Sequence, residues 1–256
     1  MPILDLFKLD GKIALVTGAS KGLGQAIAVA LAEAGAGIIS LSRSPDSGTT
    51  AEQVKATGQC YHTIELDLGT ASVSEIEATV QQAIALEGRL DILVNNAGVI
   101  LRAPVLDYSE ADWDAVIQID LKAAFFLSQV AARHMEQHGG GKIINVASLL
   151  SYQGGILVPA YSAAKHGLIG ITQALANECA AKGINVNAIA PGYIDTEATV
   201  ALRADPERNQ AILSRIPAGY WGQPSDLKGA AVFLASDAAK YIHGSTIIVD
   251  GGWMAR

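Results

Sequence analysis

Lys12-Ile13-Ala14-Leu15-Val16-Thr17-Gly18-Ala19-Ser20-Lys21-Gly22-Leu23-Gly24 decides how this chain folds. Its first five residues read as a short buried strand, and an apolar, alanine-rich helix follows from about Leu23 to Ala34. Glycines between the two permit φ > 0 and let the backbone approach a ligand closely. The N-terminus of the helix beyond them presents unpaired N–H groups and positive dipole to a pyrophosphate. The spacing is G-x-x-x-G-x-G, so the G-x-G-x-x-G dinucleotide pattern fails literally while its physics holds. Read alone, the segment is also compatible with a plain glycine-rich turn.

Working outward, strand and helix patterns alternate. Strands are expected near 12–17, 37–42, 60–66, 91–95, 142–147, 184–190 and 245–249, and helices near 22–34, 50–57, 72–87, 109–135, 160–181 and 225–235. Such alternation implies right-handed βαβ crossovers and a doubly wound parallel sheet of about seven strands with helices on both faces. Residues 1–256 read as a single Rossmann-type α/β domain, without repeat, linker or low-complexity tract. One long irregular stretch, about 191–224, carries Pro191, Pro206, Pro217 and Pro224. Its length suits a lid or binding loop rather than a linker, with a short helix expected around Asp205–Ser214.

Three further segments reach the carboxyl edge of that sheet, where open α/β folds bind ligands. Asp91-Ile92-Leu93-Val94-Asn95-Asn96-Ala97-Gly98 is a strand ending in two amides and two small residues, compatible by itself with an Asn-rich turn. Lys142-Ile143-Ile144-Asn145-Val146-Ala147-Ser148 delivers a hydroxyl, with Ser151 a rival nearby. Tyr161-Ser162-Ala163-Ala164-Lys165 stacks a phenol and an ammonium one helical turn apart. A phenol of pKa roughly 10 is a poor base at neutrality. A neighbouring cation lowers that value, so the pair can exchange a proton with an alcohol–carbonyl couple.

In this order and spacing, and with Pro191-Gly192 and Val249-Asp250-Gly251-Gly252 further on, the chain resembles the short-chain dehydrogenase/reductase family over essentially its whole length. The resemblance implies hydride transfer with NAD or NADP. It assigns Tyr161 as general acid/base and gives Lys165 two tasks, lowering the tyrosine pKa and binding the nicotinamide ribose. Ser148 becomes the donor to the substrate oxygen, stabilising charge that develops there. It places the cofactor on Gly18, Ser20, Lys21, Gly22, Leu23 and Gly24, on Ser42 and Arg43, on Asp67 and Leu68, and on Asn95, Ala97 and Gly98. Tyr161, Lys165, Pro191, Gly192, Ile194 and Thr196 complete that set. One position departs from the family: Ile119-Asp120-Leu121 has Asp120 where an Asn is expected. In the family that residue props open a helix and anchors a water leading to the lysine through its backbone carbonyl. An Asp keeps the backbone role but adds a carboxylate near Lys165.

Cofactor choice rests on the second strand's end. NAD enzymes usually place an acid there, about 20 residues past the glycines, for the ribose 2′-hydroxyl. Here Ser42 and Arg43 stand at that point, followed by Ser44, and no carboxylate appears until Asp46. Arg43 suits a 2′-phosphate and can lie over adenine, with Lys21 a second cation. NADP(H) is favoured, with NAD(H) still admitted.

A narrower likeness points to substrate. Asn185–Tyr193, Leu202-Arg203-Ala204-Asp205, Arg215–Gly222 and Asp250-Gly251-Gly252-Trp253 resemble the family's sugar-acid branch, whose substrates are of the keto-deoxy-gluconate or ketogluconate type. A sugar acid needs a cationic clamp, for which arginine's planar fork is suited. Arg102 is the best placed by sequence, Arg203 and Arg215 are alternatives, and Gln153 is a candidate partner for a hydroxyl. A 3-oxoacyl-[acyl-carrier-protein] reductase is the competing enzyme, and a nucleotide-sensing regulator the competing non-enzyme. The formal net charge of −7 argues against docking of an acidic carrier and against nucleic acid.

Half the residues are hydrophobic and 17% charged, which suits a sheet buried on both faces. No apolar run approaches a membrane span, and Met1-Pro2-Ile3-Leu4-Asp5 lacks a basic signal region. Cytoplasm is the expected location. Cys60 and Cys179 are too few and isolated for disulfides or zinc, and the five histidines show no ligand spacing, so no metal is expected. His134 and His138 fall near a helix C-terminus, which favours a cation. Apolar residues around much of the helices at 109–135 and 160–181, among them Ala123, Ala124, Phe125 and Phe126, point to burial of these helices. The family resemblance implies that the two pair across a dimer axis within a homotetramer, with a dimer the next expectation.

Overall fold

The computed structural model describes residues 2–44 and 48–255. The seven strands are β1 (Ile13–Thr17), β2 (Gly37–Ser42), β3 (Tyr61–Glu65), β4 (Ile92–Asn95), β5 (Gly141–Val146), β6 (Ile184–Pro191) and β7 (Thr246–Val249). They form one sheet in the order β3-β2-β1-β4-β5-β6-β7. Every pairing is parallel, from Ile38 opposite Tyr61 at one edge to Pro191 opposite Val249 at the other. The order reverses between β1 and β4, which places the ligand-binding crevice beyond their carboxyl ends.

Successive strand residues face opposite ways, so a strand covered on both sides must be apolar at every position. Ala14 and Val16 enter one core together with Ile92 and Val94; Ile13, Leu15 and Leu93 enter the other. The first core is closed by α1 (Gly22–Glu33), α2 (Thr49–Ala56) and α9 (Lys228–Ala235). The second is closed by α3 (Val73–Glu87), α5 (Ala124–Gln137) and α6 (Pro159–Cys179). The continuous apolar strands and the doubly wound topology have the same cause.

Local chemistry sets the element ends. Ser72 and Glu75 form a reciprocal cap at the start of α3, and Gly88 ends it in the left-handed conformation. The region expected as one helix near 109–135 is α4 (Glu110–Ile117), a wide turn at Gln118–Ala123 and then α5. That wide turn has π-helical, i to i+5, geometry, a rare insertion that concentrates at functional sites. The composite helix Glu110–Gln137 is, by length and composition, apolar enough to cross a membrane, which differs from the expectation that no such run exists. Half of its most apolar window is buried inside the molecule, as for a core helix of this sheet.

The stretch after β6 is more structured than its prolines suggest. It contains a turn of 3-10 helix at Glu197–Thr199, α7 (Val200–Ala204) and α8 (Pro206–Leu213), capped by Asp205 through the N–H groups of Glu207 and Arg208. Away from the crevice, Cys60 is less isolated than its sequence position implies. Its Sγ lies with the ring of His62 and the carboxylate of Glu87 in one group within 4.8 Å, held by a 2.6 Å His62–Glu87 bond. His134 is not the helix-terminal cation expected. Burial and the stacked His138 ring push its pKa down, and its Nε2 accepts the Leu90 N–H.

Candidate active site

A cleft of about 1290 Å³ runs along the carboxyl edge of the sheet. Its floor begins at the glycine turn, where Gly18 and Gly22 both hold φ near +60°. Asn96 fastens this turn: its Nδ2 donates to the carbonyls of Thr17 and Gly18, while its own N–H donates to Thr17 Oγ1. The donor for the turn is therefore Asn96 rather than Asn95. Asn95 is buried beneath the sheet edge, donating to Ser128 Oγ and Asn145 Oδ1, and it does not line the cleft. The other expected cofactor positions, Gly18, Ser20 to Gly24, Ser42, Arg43, Asp67, Leu68, Ala97, Gly98, Pro191, Gly192, Ile194 and Thr196, all do. Asp46 lies outside the described residues.

These residues fit a phosphorylated dinucleotide. A Cβ on Gly22 would meet only Thr196 Cγ2, at 3.9 Å, so the first turn of α1 faces open space. Arg43 is exposed on the wall with Ser42 and Ser44, and no carboxylate among the described residues occupies the end of β2. Lys21 is committed to an ion pair with Glu197 across the mouth. Arg102, reaching over from the segment after β4, donates to the Ala198 carbonyl at 3.3 Å. Two cations thus tether the same 3-10 turn to the body of the domain.

Ser148, Tyr161 and Lys165 come together at the centre of the cleft. Pro159 at the first position of α6 starts the helix that carries the last two. The Lys165 ammonium lies 5.4 Å from the Tyr161 ring centre and donates to the Val146 carbonyl at 3.0 Å. Ser148 Oγ accepts the Leu150 N–H, which orients the hydroxyl at the cleft wall. Ser151, the rival, is buried and donates to the Lys165 carbonyl at 2.7 Å. It braces the lysine's backbone and is absent from the cleft wall.

Asp120 sits on the π-helical turn and is buried with Lys165, its Oδ2 at 3.3 Å from Nζ. The pair is an ionic contact without hydrogen-bond alignment at Oδ2, while Oδ1 accepts the Val99 N–H at 2.8 Å. Gly98 makes room for it, since a Cβ there would stand 2.7 Å from Oδ2. Burial pushes the Asp120 carboxyl above its ordinary range against the pull of Lys165. Burial also works against the Lys165 cation, but Asp120 and then Tyr161 outweigh it, so the lysine holds its proton more firmly than usual. Tyr161 departs from the expected direction. Burial raises its pKa, and Asp120 adds to the rise, against the lowering effects of Lys165, Ser148 and Arg102. At neutral pH the phenol therefore keeps its proton.

The far end of the cleft holds Gln153, Tyr193, Arg208, Arg215 and Trp253. Arg203 is not among them; it is turned into the segment after β6, paired with Asp195. Arg208 escaped the sequence reading, because a surface helix position carries no motif; Tyr193 and Trp253 entered it only as part of the sugar-acid likeness and were not expected as site residues. Leu157, with φ of +67°, also lines the cleft in a conformation that non-glycine residues rarely adopt.

Comparison with known proteins agrees with this geometry. The family profile described as Enoyl-(Acyl carrier protein) reductase matches residues 18–254. The chain is 52% identical to a 2-dehydro-3-deoxy-D-gluconate 5-dehydrogenase of Escherichia coli (strain K12), over 99% of this chain and all of that protein. It is 52% identical to a candidate 2-deoxy-D-gluconate 3-dehydrogenase from Agrobacterium tumefaciens, solved with bound NADP, with a TM-score of 0.91 over 98% of this chain and 99% of that one. Identity to a 3-oxoacyl-[acyl-carrier-protein] reductase of Vibrio harveyi is 41%, over 95% of this chain and 98% of that protein. This chain belongs to the short-chain dehydrogenase/reductase family.

Proposed function

We propose that the protein is an NADP(H)-dependent oxidoreductase that interconverts a secondary alcohol and a ketone on a sugar acid of the keto-deoxy-gluconate type. The carrying observation is the convergence of Ser148, Tyr161 and Lys165 on one cleft with the glycine turn and Arg43. The glycine turn, Ser42 and Arg43 would hold the dinucleotide, which supplies or accepts the hydride. Tyr161, protonated in the resting site, donates to the substrate oxygen during reduction and takes the proton back during oxidation. Ser148 holds that oxygen by a hydrogen bond that strengthens as negative charge develops. The Lys165 ammonium stabilises the phenolate that remains.

The relatives' names support the sugar-acid class over an acyl-carrier substrate, through 52% against 41% identity. The same reading takes residues 191–224 as a substrate lid, a homotetramer as the assembly and the cytoplasm as the location. Helices α5 and α6 would form subunit contacts, for which partly exposed Phe125 and Phe126, in edge contact at 5.1 Å, are suited. Light scattering that reports a monomer at micromolar concentration would remove the assembly from this reading.

The deciding experiment is a 340 nm screen in both directions: 2-keto-3-deoxy-gluconate, which carries a hydroxyl at C5, with NADP⁺ and NAD⁺, and 5-ketogluconate and an acyl-carrier β-ketothioester with NADPH and NADH. Turnover of a keto acid, lost by about 10²- to 10⁴-fold in Tyr161→Phe while NADPH still binds, is the expected result. Turnover confined to the thioester, or near-normal kcat in the variant, would overturn it. Any turnover excludes a purely sensing role.

A further inference from the structure

We infer that Arg208 and Arg215, both on the lid, form the clamp for the carboxylate of the substrate, with Trp253 as the platform that holds Arg215 in place. This rests on the sugar-acid reading above and assigns its charge recognition to residues remote from the reacting hydroxyl.

The two other lid-side candidates are already engaged. Arg203 faces away, paired with Asp195 and donating to the Thr196 carbonyl. Arg102 donates to the Ala198 carbonyl, and its charge is felt at the Tyr161 phenol, the reacting end of the site. Among the described residues Arg208 and Arg215 form no ion pair, and both line the cleft. Glu207, adjacent to Arg208, does not line the cleft; Asp205 does, but its Oδ1 accepts the N–H groups that start α8.

Arg215 is organised in advance. Its guanidinium lies 3.9 Å from the centre of the Trp253 ring. That ring is buried, donates from Nε1 to Gln153 Oε1 at 3.4 Å, and packs on Tyr193 with ring centres 4.6 Å apart. Tyr193 in turn meets Trp221 edge-on at 5.5 Å. A stacked guanidinium keeps its in-plane N–H donors free for a carboxylate while its face is covered. Tyr193 also reports both cations: burial raises its pKa, and Arg208 and then Arg215 pull against that rise. Two guanidinium charges therefore act on one aromatic-walled recess. An open-chain C6 acid reacting four carbons from its carboxylate spans about 5 Å between those atoms, so the charged end needs a site of its own.

The test compares wild type with Arg208→Met, Arg215→Met and Arg215→Lys in the oxidation direction, using 2-keto-3-deoxy-gluconate and its uncharged amide with NADP⁺. Each Met variant is expected to lose about 10- to 100-fold in kcat/KM for the acid, mostly through KM, and to change little toward the amide. Arg215→Lys restores little, because an ammonium lacks the planar fork. NADPH affinity stays at the wild-type value in all three, which separates clamp loss from misfolding. A Met variant that keeps the preference for acid over amide overturns the assignment. A second readout is independent of turnover: gluconate binding followed by tryptophan fluorescence. If no sugar acid is turned over in either direction but gluconate still binds and the Met variants abolish it, the clamp stands and the substrate reading falls. If gluconate binds wild type and variants alike, the clamp falls.

Discussion

The Asp120 carboxylate lies 3.3 Å from the Lys165 ammonium, with side-chain exposures of 0% and 5%. Its charge supports the lysine cation and at the same time raises the pKa of Tyr161. Asp120→Asn keeps the carbonyl that accepts the Val99 N–H and removes only the charge. In alcohol oxidation, which needs the phenolate, the acidic limb of the kcat/KM profile is expected to move to lower pH in this variant. An unmoved limb, measured with NADP⁺ over a pH series, would mean that residue 120 acts through its backbone alone.

The raised Tyr161 pKa gives the wild type its own pH asymmetry. Ketone reduction uses the protonated phenol and is expected to hold up through neutrality, falling only as pH rises through the Tyr161 pKa. Alcohol oxidation uses the deprotonated form and rises over the same range. Steady-state profiles in both directions check this; oxidation with a maximum near pH 7 would contradict it. Bound cofactor brings its own charge to the site, so binary-complex titration of the phenol by ultraviolet difference spectra is the companion measurement.

The reach of sequence pattern in this chain has a physical boundary. The inner strands were legible because a sheet buried on both faces must be apolar at every position, as Ile13–Val16 and Ile92–Val94 are. The edge strands Tyr61–Glu65 and Thr246–Val249 are only partly buried and were legible from their place in the strand–helix alternation. Ser148, Tyr161 and Lys165 were legible because strand ends and helical spacing fix where side chains go. Asn95 was misplaced because adjacent residues on a strand point to opposite sides, and pattern alone does not say which of Asn95 and Asn96 faces the turn. Arg203 and Arg208, five apart in the segment after β6, differ in placement: Arg203 is paired with Asp195, while Arg208 lines the cleft. That pairing is tertiary and leaves no trace in local spacing. The direction of the Tyr161 pKa depended on burial, which the Tyr–Lys spacing does not report.

Cofactor preference is expected to depend on Arg43 and to be restrained by Glu197. Arg43→Ala should lower kcat/KM for NADPH by about 10-fold or more with little change for NADH, since one charge-assisted contact to a 2′-phosphate is lost. Glu197 holds Lys21 in an ion pair of two exposed side chains, which contributes little stability by itself. Glu197→Gln frees Lys21 and removes a negative charge from the mouth, so NADPH should bind several-fold more tightly, with the effect fading at high salt. Equal NADPH affinity in wild type and Glu197→Gln, by calorimetry in low salt, would show that Lys21 does not reach the cofactor.

Far from the cleft, Asp91 anchors the start of the central strand, and its contribution to stability should depend on pH in one direction. Its carboxylate accepts the Ile13 N–H at 2.9 Å and two hydrogen bonds from Arg89, with Lys12 at 3.5 Å. Burial alone would raise its pKa, but Arg89, the Ile13 N–H and Lys12 together bring it below the ordinary carboxylate value of 3.8. A folded-state pKa below the unfolded one means that the folded protein binds that proton less readily. The stabilisation is then fully present above the unfolded value and is lost as pH falls through the lower, folded value. Asp91→Asn is expected to cost about 1.5–3 kcal/mol near neutrality, the range for hydrogen bonds to a charged group, most of it from the buried Ile13 contact because Arg89 is half exposed. Below the folded pKa the wild-type carboxyl is itself neutral, and the gap between the two proteins should narrow. Urea unfolding of both at pH 7 and at pH 3 measures the gap directly. A gap that stays constant between those pH values would assign the loss to packing rather than to the charge of Asp91.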